Sequence, residues 1–327
     1  MSKWRTPVFW RRRGLIACLL FPLSLLFRCL VAVRRSAYRY GLIESWRSPV
    51  PILVVGNITA GGAGKTPLVI ALVELLTARG LNVGIAMRSY GADQQQPAML
   101  VTGNSAPQST GDEAVMVRRR TGATVAVAAK RGEAVKLLLS QQMFQLIVCD
   151  DGLQHYALQR DLEIAVVDSH FGLGNGFFLP AGPLRESPAR LAQVDLLVYS
   201  GADRKAPGYE LEVEGVVNLL QPGVETTLDK LKATKVHAVA AIAYPDRFFR
   251  TLRANGLQLL EHAFPDHHPY RSEDLNFADD LPILMTEKDK VKCEAFASEN
   301  MWYLKVSAII DNEIKQQVNA LVDITIH

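Results

Sequence analysis

The alternation of apolar and polar positions divides the chain into one long apolar segment near its start and a series of short apolar runs set between helical patterns. Ile52 to Val55 follows Pro51 as a continuous apolar run and predicts a buried parallel strand. After it, Pro67 to Gly80 places apolar residues at helical spacing and closes on a glycine, predicting a helix with Gly80 as its C-cap. Val83 to Met87, Thr124 to Ala129, Leu146 to Cys149, Leu162 to Asp168 and Val194 to Ser200 read as further core strands. Strands interleaved with helices in this way predict a doubly wound α/β domain with a mostly parallel sheet. Downstream, His237 to Ala243 and Pro282 to Thr286 predict strands, and Pro245 to Gly256 predicts a helix, so a second, smaller α/β domain is expected.

The start of the chain reads differently. Gly14 to Phe27 carries no charge, Arg28 interrupts, and apolar residues resume to Val33. A clean spanning helix needs ~20 apolar residues, and an arginine at its centre costs ~2.5–3.5 kcal/mol. On a helix, Arg28, Arg35 and Arg39 share a face with Ser24 nearby, which leaves a broad apolar face opposite. That arrangement predicts a helix lying in a membrane interface with its arginines toward anionic headgroups. Three other readings stand beside it: a true single span, a cleaved signal peptide, and an ordinary core helix. No small-residue cleavage site follows the segment.

The stretch Gly201 to Gly215 marks a composition shift: it is polar and loop-rich, then alternates like a short ribbon strand. The expected organisation is an anchor region over 1–40, a phosphate-loop domain over 41–205 and a smaller α/β domain over 206–327. At 327 residues and 49% apolar content, two domains can each bury a core. The net charge of +3 does not argue for a nucleic-acid partner. Cys18, Cys29, Cys149 and Cys293 form no CxxC pair, which argues against a metal-thiolate site and points to a reducing compartment.

Candidate chemistry begins between the first strand and its helix. Residues 59–67 read Thr-Ala-Gly-Gly-Ala-Gly-Lys-Thr-Pro. A strand, a glycine-rich turn and a helix are the context a phosphate-binding loop requires. Gly61, Gly62 and Gly64 let backbone N–H groups close on phosphate oxygens, Lys65 reaches the β- and γ-phosphates, and Thr66 offers its hydroxyl to Mg²⁺. Pro67 sits where a missing N–H costs little. Thr59 replaces the usual first glycine, with its hydroxyl placed to fix the loop, and Ala60 and Ala63 complete the turn. A second signal is Asp150-Asp151, ending an apolar strand. A carboxylate there holds Mg²⁺ directly or through water, although an Asp-Gly turn alone has the same sequence.

The chain resembles the tetraacyldisaccharide 4'-kinase family, the lipid A 4'-kinases of Gram-negative bacteria, over nearly its whole length. The resemblance is carried by "GNITAGGAGKTP" (56–67), "RSYG" (88–91), "GDEA" (111–114), "DDGLQH" (150–155), "LPAGPLRE" (179–186), "FPDHHPY" (264–270) and "TEKDKVK" (286–292). It implies ATP and Mg²⁺ as cofactors, a tetraacyl disaccharide 1-phosphate as acceptor, and a location at the cytoplasmic face of the inner membrane. It further implies Asp112 as general base, with His267, or else His268, as its partner. Read without the family, Asp112 is equally a helix N-cap and the histidines a surface turn. Asp151 is the next candidate for the base. The resemblance also puts Arg131, Gln154, His155, Arg185 and Glu113 near the acceptor and makes Glu186 a second metal ligand. The other function class is a membrane-associated P-loop NTPase acting as a switch or scaffold, for example a GTPase. The guanine-reading Asn-Lys-x-Asp is missing; the nearest stretch is Thr286-Glu287-Lys288-Asp289.

Overall fold

A computed structural model describes residues 7–89, 97–201, 204 and 206–326. Tyr90 and Gly91 of the Arg-Ser-Tyr-Gly motif lie outside the described residues. The first block of strands comprises β1 (Ile52–Gly56), β2 (Val83–Arg88), β3 (Met99–Val101), β4 (Thr124–Ala128), β5 (Leu146–Asp150), β6 (Leu162–Asp168) and β7 (Leu196–Ser200). The second comprises β8 (Gly208–Asn218), β9 (Glu225–Thr226), β10 (Lys235–Ala240), β11 (Gln258–Ala263), β12 (Ile283–Thr286) and β13 (Met301–Ile310). All belong to one sheet, in the order β11-β10-β12-β13-β8-β7-β6-β1-β5-β2-β4-β3, with β9 on β8.

The core pairings of the first block are parallel; in the second, β10, β12 and β13 run parallel and β13 pairs antiparallel with β8, the strand that joins the first block. The sheet therefore runs without a break past residue 206, because β7 pairs with β8 across that point. The stretch expected to form a short ribbon strand is instead the eleven-residue β8, a central strand of the sheet.

The alternation along β1 explains the two layers. Leu53 and Val55 point into a core with Leu68, Val69, Leu72 and Val73 of α2 (Lys65–Ala78). Ile52 and Val54 point into the opposite core, with Val135 and Leu138 of α5 (Arg131–Gln141). Between them in sequence lie the single turn α3 (Pro107–Thr110) and α4 (Asp112–Thr121). In the second block, α6 (Leu228–Leu231), α7 (Pro245–Ala254) and α8 (Glu287–Cys293) cover the sheet, and α9 (Asn312–Ile326) returns to the first core through Ile314, Val318 and Val322. Because β1 is flanked by β5 and β6, the ends of β1 and β5 open on one crevice, the usual ligand position in such sheets.

The apolar start forms α1 (Leu15–Arg39), by length and composition able to cross a membrane and about 37 Å long. Only Ala17 and Ser24 are buried along it. The Ser24 hydroxyl donates to the Phe178 carbonyl at 2.6 Å and accepts from the Ala181 N–H at 3.0 Å. Phe21 packs on Phe177, and Trp10 Nε1 donates to the Pro180 carbonyl. Leu15, Leu19, Leu23, Leu26, Leu30 and Val33 remain exposed. Arg28 sits over the Phe178 ring and Arg35 bonds Gln193, so the arginine edge of the helix lies next to the protein body.

Candidate active site

The turn after β1 is held from behind. Ala60 N–H donates to the Pro183 carbonyl at 2.7 Å, and Thr59 Oγ1 accepts from Asn57 Nδ2 at 3.1 Å. The Ser200 hydroxyl donates to the Ala63 carbonyl at 3.1 Å, and the hydroxyl of Tyr209, fully buried on β8, donates to the Gly64 carbonyl. Carbonyls tied down on the far side turn the successive N–H groups toward the crevice, the geometry of an anion-binding nest at a helix start. Gly61 and Gly64 adopt φ of 110° and 79°, which only glycine takes without strain. Pro67 falls in the first turn of α2.

Lys65 Nζ lies 3.1 Å from Asn57 Oδ1 and 3.2 Å from Asp151 Oδ1. Arg185 Nη1 is 3.3 Å from the other Asp151 oxygen. Burial raises the Asp151 pKa, but Lys65, Arg185 and Arg131 outweigh it and hold the carboxyl well below the usual range. The Thr66 hydroxyl donates to Asp150 Oδ2 at 3.1 Å, while Asp150 Oδ1 is buried with no hydrogen-bond partner among the described residues. Burial, with Glu113 adding repulsion against the pull of Lys65, pushes the Asp150 pKa up to about 6. A hydroxyl beside a carboxylate with an orphaned oxygen is a donor set for a hard divalent cation. Among the described residues no group of three or more His, Cys, Asp or Glu side chains could hold a metal. A cation here would therefore draw its remaining ligands from phosphate oxygens and water.

Asp112 and His267 come from opposite ends of the sequence and meet. His267 Nδ1 lies 3.0 Å and 3.2 Å from the two Asp112 oxygens. Asp112 is the first residue of α4, not its cap; Gly111 occupies that place. Only 4% of Asp112 is exposed, whereas the His267 side chain is 32% exposed and lines the cleft. Burial raises the Asp112 pKa, but the His267 hydrogen bond, Lys288 and Lys292 bring it down to about 2. His267 is shifted above its ordinary 6.5: burial and Lys288 oppose the charge, and the bond to Asp112 prevails. His267 also has a positive φ of 60°, strained for a non-glycine residue.

Lys65, Thr66, Asp150, Asp151, Glu113, Arg131, Arg185 and His267 all line one cavity of about 930 Å³ between the two blocks. Asp112 meets that space only through His267, Thr59, Ala60 and Ala63 lie outside the lining, and four further expected residues do too. His268 pairs with Asp274 at 3.1 Å, so the partner of Asp112 is His267. Gln154 donates to the Asn57 carbonyl at 2.8 Å and braces the phosphate loop. His155 accepts from the Arg131 N–H at 3.1 Å, and burial with nearby Arg131 lowers its pKa to about 4. Glu186, expected as a metal ligand, is 2% exposed and accepts from the Tyr156 hydroxyl, apart from Thr66 and Asp150, which line the cavity. Arg131 reaches the cavity, but its guanidinium donates to the Asp150 carbonyl at 3.0 Å and 2.5 Å and so fixes the end of β5.

Sequence patterns gave no warning of Tyr209, Ser200, Tyr244 or Arg247, which reach the phosphate loop from strand ends and the second block. Arg247 lies 3.6 Å from Asp168 and lines the cavity. A Cβ added at Gly61 would fall 2.1 Å from Tyr244 Oη at a φ forbidden to side chains. Gly61→Ala is therefore expected to distort the loop by roughly 1–3 kcal/mol. Titration calorimetry should show nucleotide affinity reduced about tenfold or more; unchanged affinity would remove Gly61 from the binding turn.

The chain matches the model of the LpxK family, tetraacyldisaccharide-1-P 4'-kinase, over residues 16–323. A tetraacyldisaccharide 4'-kinase of Shewanella sp. (strain MR-4) is 48% identical over 303 residues, covering 92% of this chain and 90% of the relative. One of Pseudomonas aeruginosa (strain LESB58) is 45% identical over 295 residues, covering 89% of each. A crystal structure of LpxK from Aquifex aeolicus in complex with ATP superimposes with a TM-score of 0.77 at 25% identity, covering 94% of this chain and all of the other.

Proposed function

The chain belongs to the tetraacyldisaccharide-1-P 4'-kinase family and is a kinase of lipid A biosynthesis; we propose that it transfers the γ-phosphate of ATP to the 4'-hydroxyl of a tetraacylated glucosamine disaccharide 1-phosphate. The observation that carries this reading is the shared cavity: a phosphate loop and His267, backed by the buried Asp112, face one space.

Each role follows from placement. The loop N–H groups and Lys65 bind and orient the triphosphate, and Lys65 neutralises charge that grows on the transferring group. Thr66 and Asp150 would hold Mg²⁺, which when bound neutralises phosphate charge. Asp151 and Asn57 keep Lys65 extended into the cleft. Arg185 and Glu113 line the acceptor side. The Asp112–His267 pair accepts the hydroxyl proton. Its titration belongs to the pair, because the two groups share a hydrogen bond. As the pH falls through the raised histidine value, the pair takes up a proton and can no longer accept one. Residues 41–205 then act as the nucleotide half and 206–327 as the half that closes on it.

An amphipathic α1 explains how a lipid acceptor is reached. We infer that it lies at the cytoplasmic surface of the inner membrane, its exposed leucines in the acyl boundary and the exposed Arg11, Arg12, Arg34 and Arg39 near anionic headgroups, while Arg28 and Arg35 stay on the protein body. Deleting residues 1–34 is expected to release the protein from anionic vesicles in a sedimentation assay and to raise the KM for lipid more than that for ATP. Full sedimentation of the truncated chain would put the membrane contact elsewhere. A nucleotide-driven switch, the other function class, needs no proton acceptor; Asp112 and His267 have no task in it.

A further inference from the structure

The Asp112–His267 pair is surrounded by more charge than a proton transfer needs, and much of it converges on one ammonium. Lys288 is 8% exposed. Its Nζ lies 3.0 Å from Asp266 Oδ1, 3.1 Å from Glu113 Oε1 and 4.0 Å from Asp112 Oδ2. Those carboxylates come from two parts of the molecule. Asp112 and Glu113 open α4, which packs on α2 of the phosphate loop, whereas Asp266 directly precedes His267 on the turn after β11. Lys292, on the same face of α8, is 3.7 Å from Asp112 but 2.6 Å from Asp289. The other Asp289 oxygen accepts from the Thr286 hydroxyl and the Ala241 N–H, so Lys292 belongs to a local knot within the second block.

We propose that Lys288 is a positioning residue for the reaction: it ties the turn bearing His267 to the start of α4, and it sets the pH above which the Asp112–His267 pair accepts a proton. The proposal rests on the reading of that pair given above. An ammonium carries three donors and no acceptor, and here three carboxylates surround it. A cation beside the pair favours ionised Asp112 and disfavours protonated His267. Both effects act in one direction, so the sign does not depend on which member holds the proton. The charged groups around the pair are Glu113 on α4, Lys288, Lys292 and Asp289 on α8, and Asp266 on the turn. Glu113 in turn repels Asp150, at the end of β5.

The test is the pH dependence of kcat/KM for ATP, with saturating lipid acceptor, in the wild type and in Lys288→Met, Lys288→Gln and Lys288→Arg. In Lys288→Met the acid limb should move up by about 1 pH unit, while the KM for ATP stays within about twofold. Lys288→Arg keeps the charge and should return the limb to its wild-type position. If Lys288→Met does not fold, Lys288→Gln, neutral but still able to donate to Asp266, is read in the same way. An unmoved limb with kcat lowered evenly at every pH would reduce Lys288 to packing. A raised KM for ATP at unchanged kcat would assign it to the nucleotide; either result overturns the proposal. Asp112→Asn in the same buffers separates the two layers. If that variant keeps the wild-type limb, the pair is not the proton acceptor and the lysine proposal falls with it. If it moves the limb and the neutral Lys288 variants do not, only the lysine proposal fails.

Discussion

Lys65→Ala lowers kcat by roughly 10²–10³-fold, the loss expected when one charge-stabilising group is taken from a phosphoryl-transfer site. Lys65 Nζ is the cation at the mouth of the phosphate loop, 3.1 Å from Asn57 and 3.2 Å from Asp151, and both partners belong to the β1–β5 crevice. The variant leaves Asp151 with Arg185 at 3.3 Å, so the carboxylate keeps a counter-charge and the fold is expected to hold. Steady-state rates with labelled ATP, alongside a thermal melt, check both halves of the statement. A folded Lys65→Ala protein turning over near the wild-type rate would remove the phosphate loop from the reaction.

Asp112→Asn is expected to lower kcat by roughly 10²–10⁴-fold, the range of general acid–base contributions. Asparagine keeps the size and polarity of the carboxylate but puts an amide donor in place of one acceptor oxygen, and it cannot take a proton. ATP affinity should stay near wild type, because Asp112 does not line the cavity and contacts none of the loop residues 59–67 among its hydrogen bonds. The acid limb should also shift downward, since His267 loses the anion that raises its pKa. A variant with full kcat would reduce Asp112 to a helix-start residue, and Asp151 would be the next base to examine.

Elements with a strong local pattern were legible from the sequence. β1 and β5 are apolar runs up to their last residue, and β6 is apolar apart from Glu163 and its closing Asp168, because both of their faces are buried, and the phosphate loop announces itself through glycines required at positive φ. The His267 turn was legible from flanking prolines, and its meeting with Asp112 only from the family resemblance. Contacts made across 155 residues leave no periodic trace. The same reason hides Tyr209, which supports Gly64 from a strand whose alternation reads as a solvent-facing ribbon. Glu186 is turned inward to Tyr156 while its neighbour Arg185 faces the cleft, a difference no pattern shows, because adjacent residues on an irregular segment need not share a side. Lys288 sits in a motif that was recognised, yet its role appears only when Asp266, Glu113 and Asp112 converge on it.

The central claim is that one cavity joins a triphosphate to a lipid hydroxyl. Its most direct test is incubation of the full chain with ATP, Mg²⁺ and a tetraacyl disaccharide 1-phosphate, followed by mass analysis of the lipid. The account predicts a product heavier by one phosphate, carried at the 4' position, formed in step with ADP. ADP released with the lipid left unchanged would contradict it.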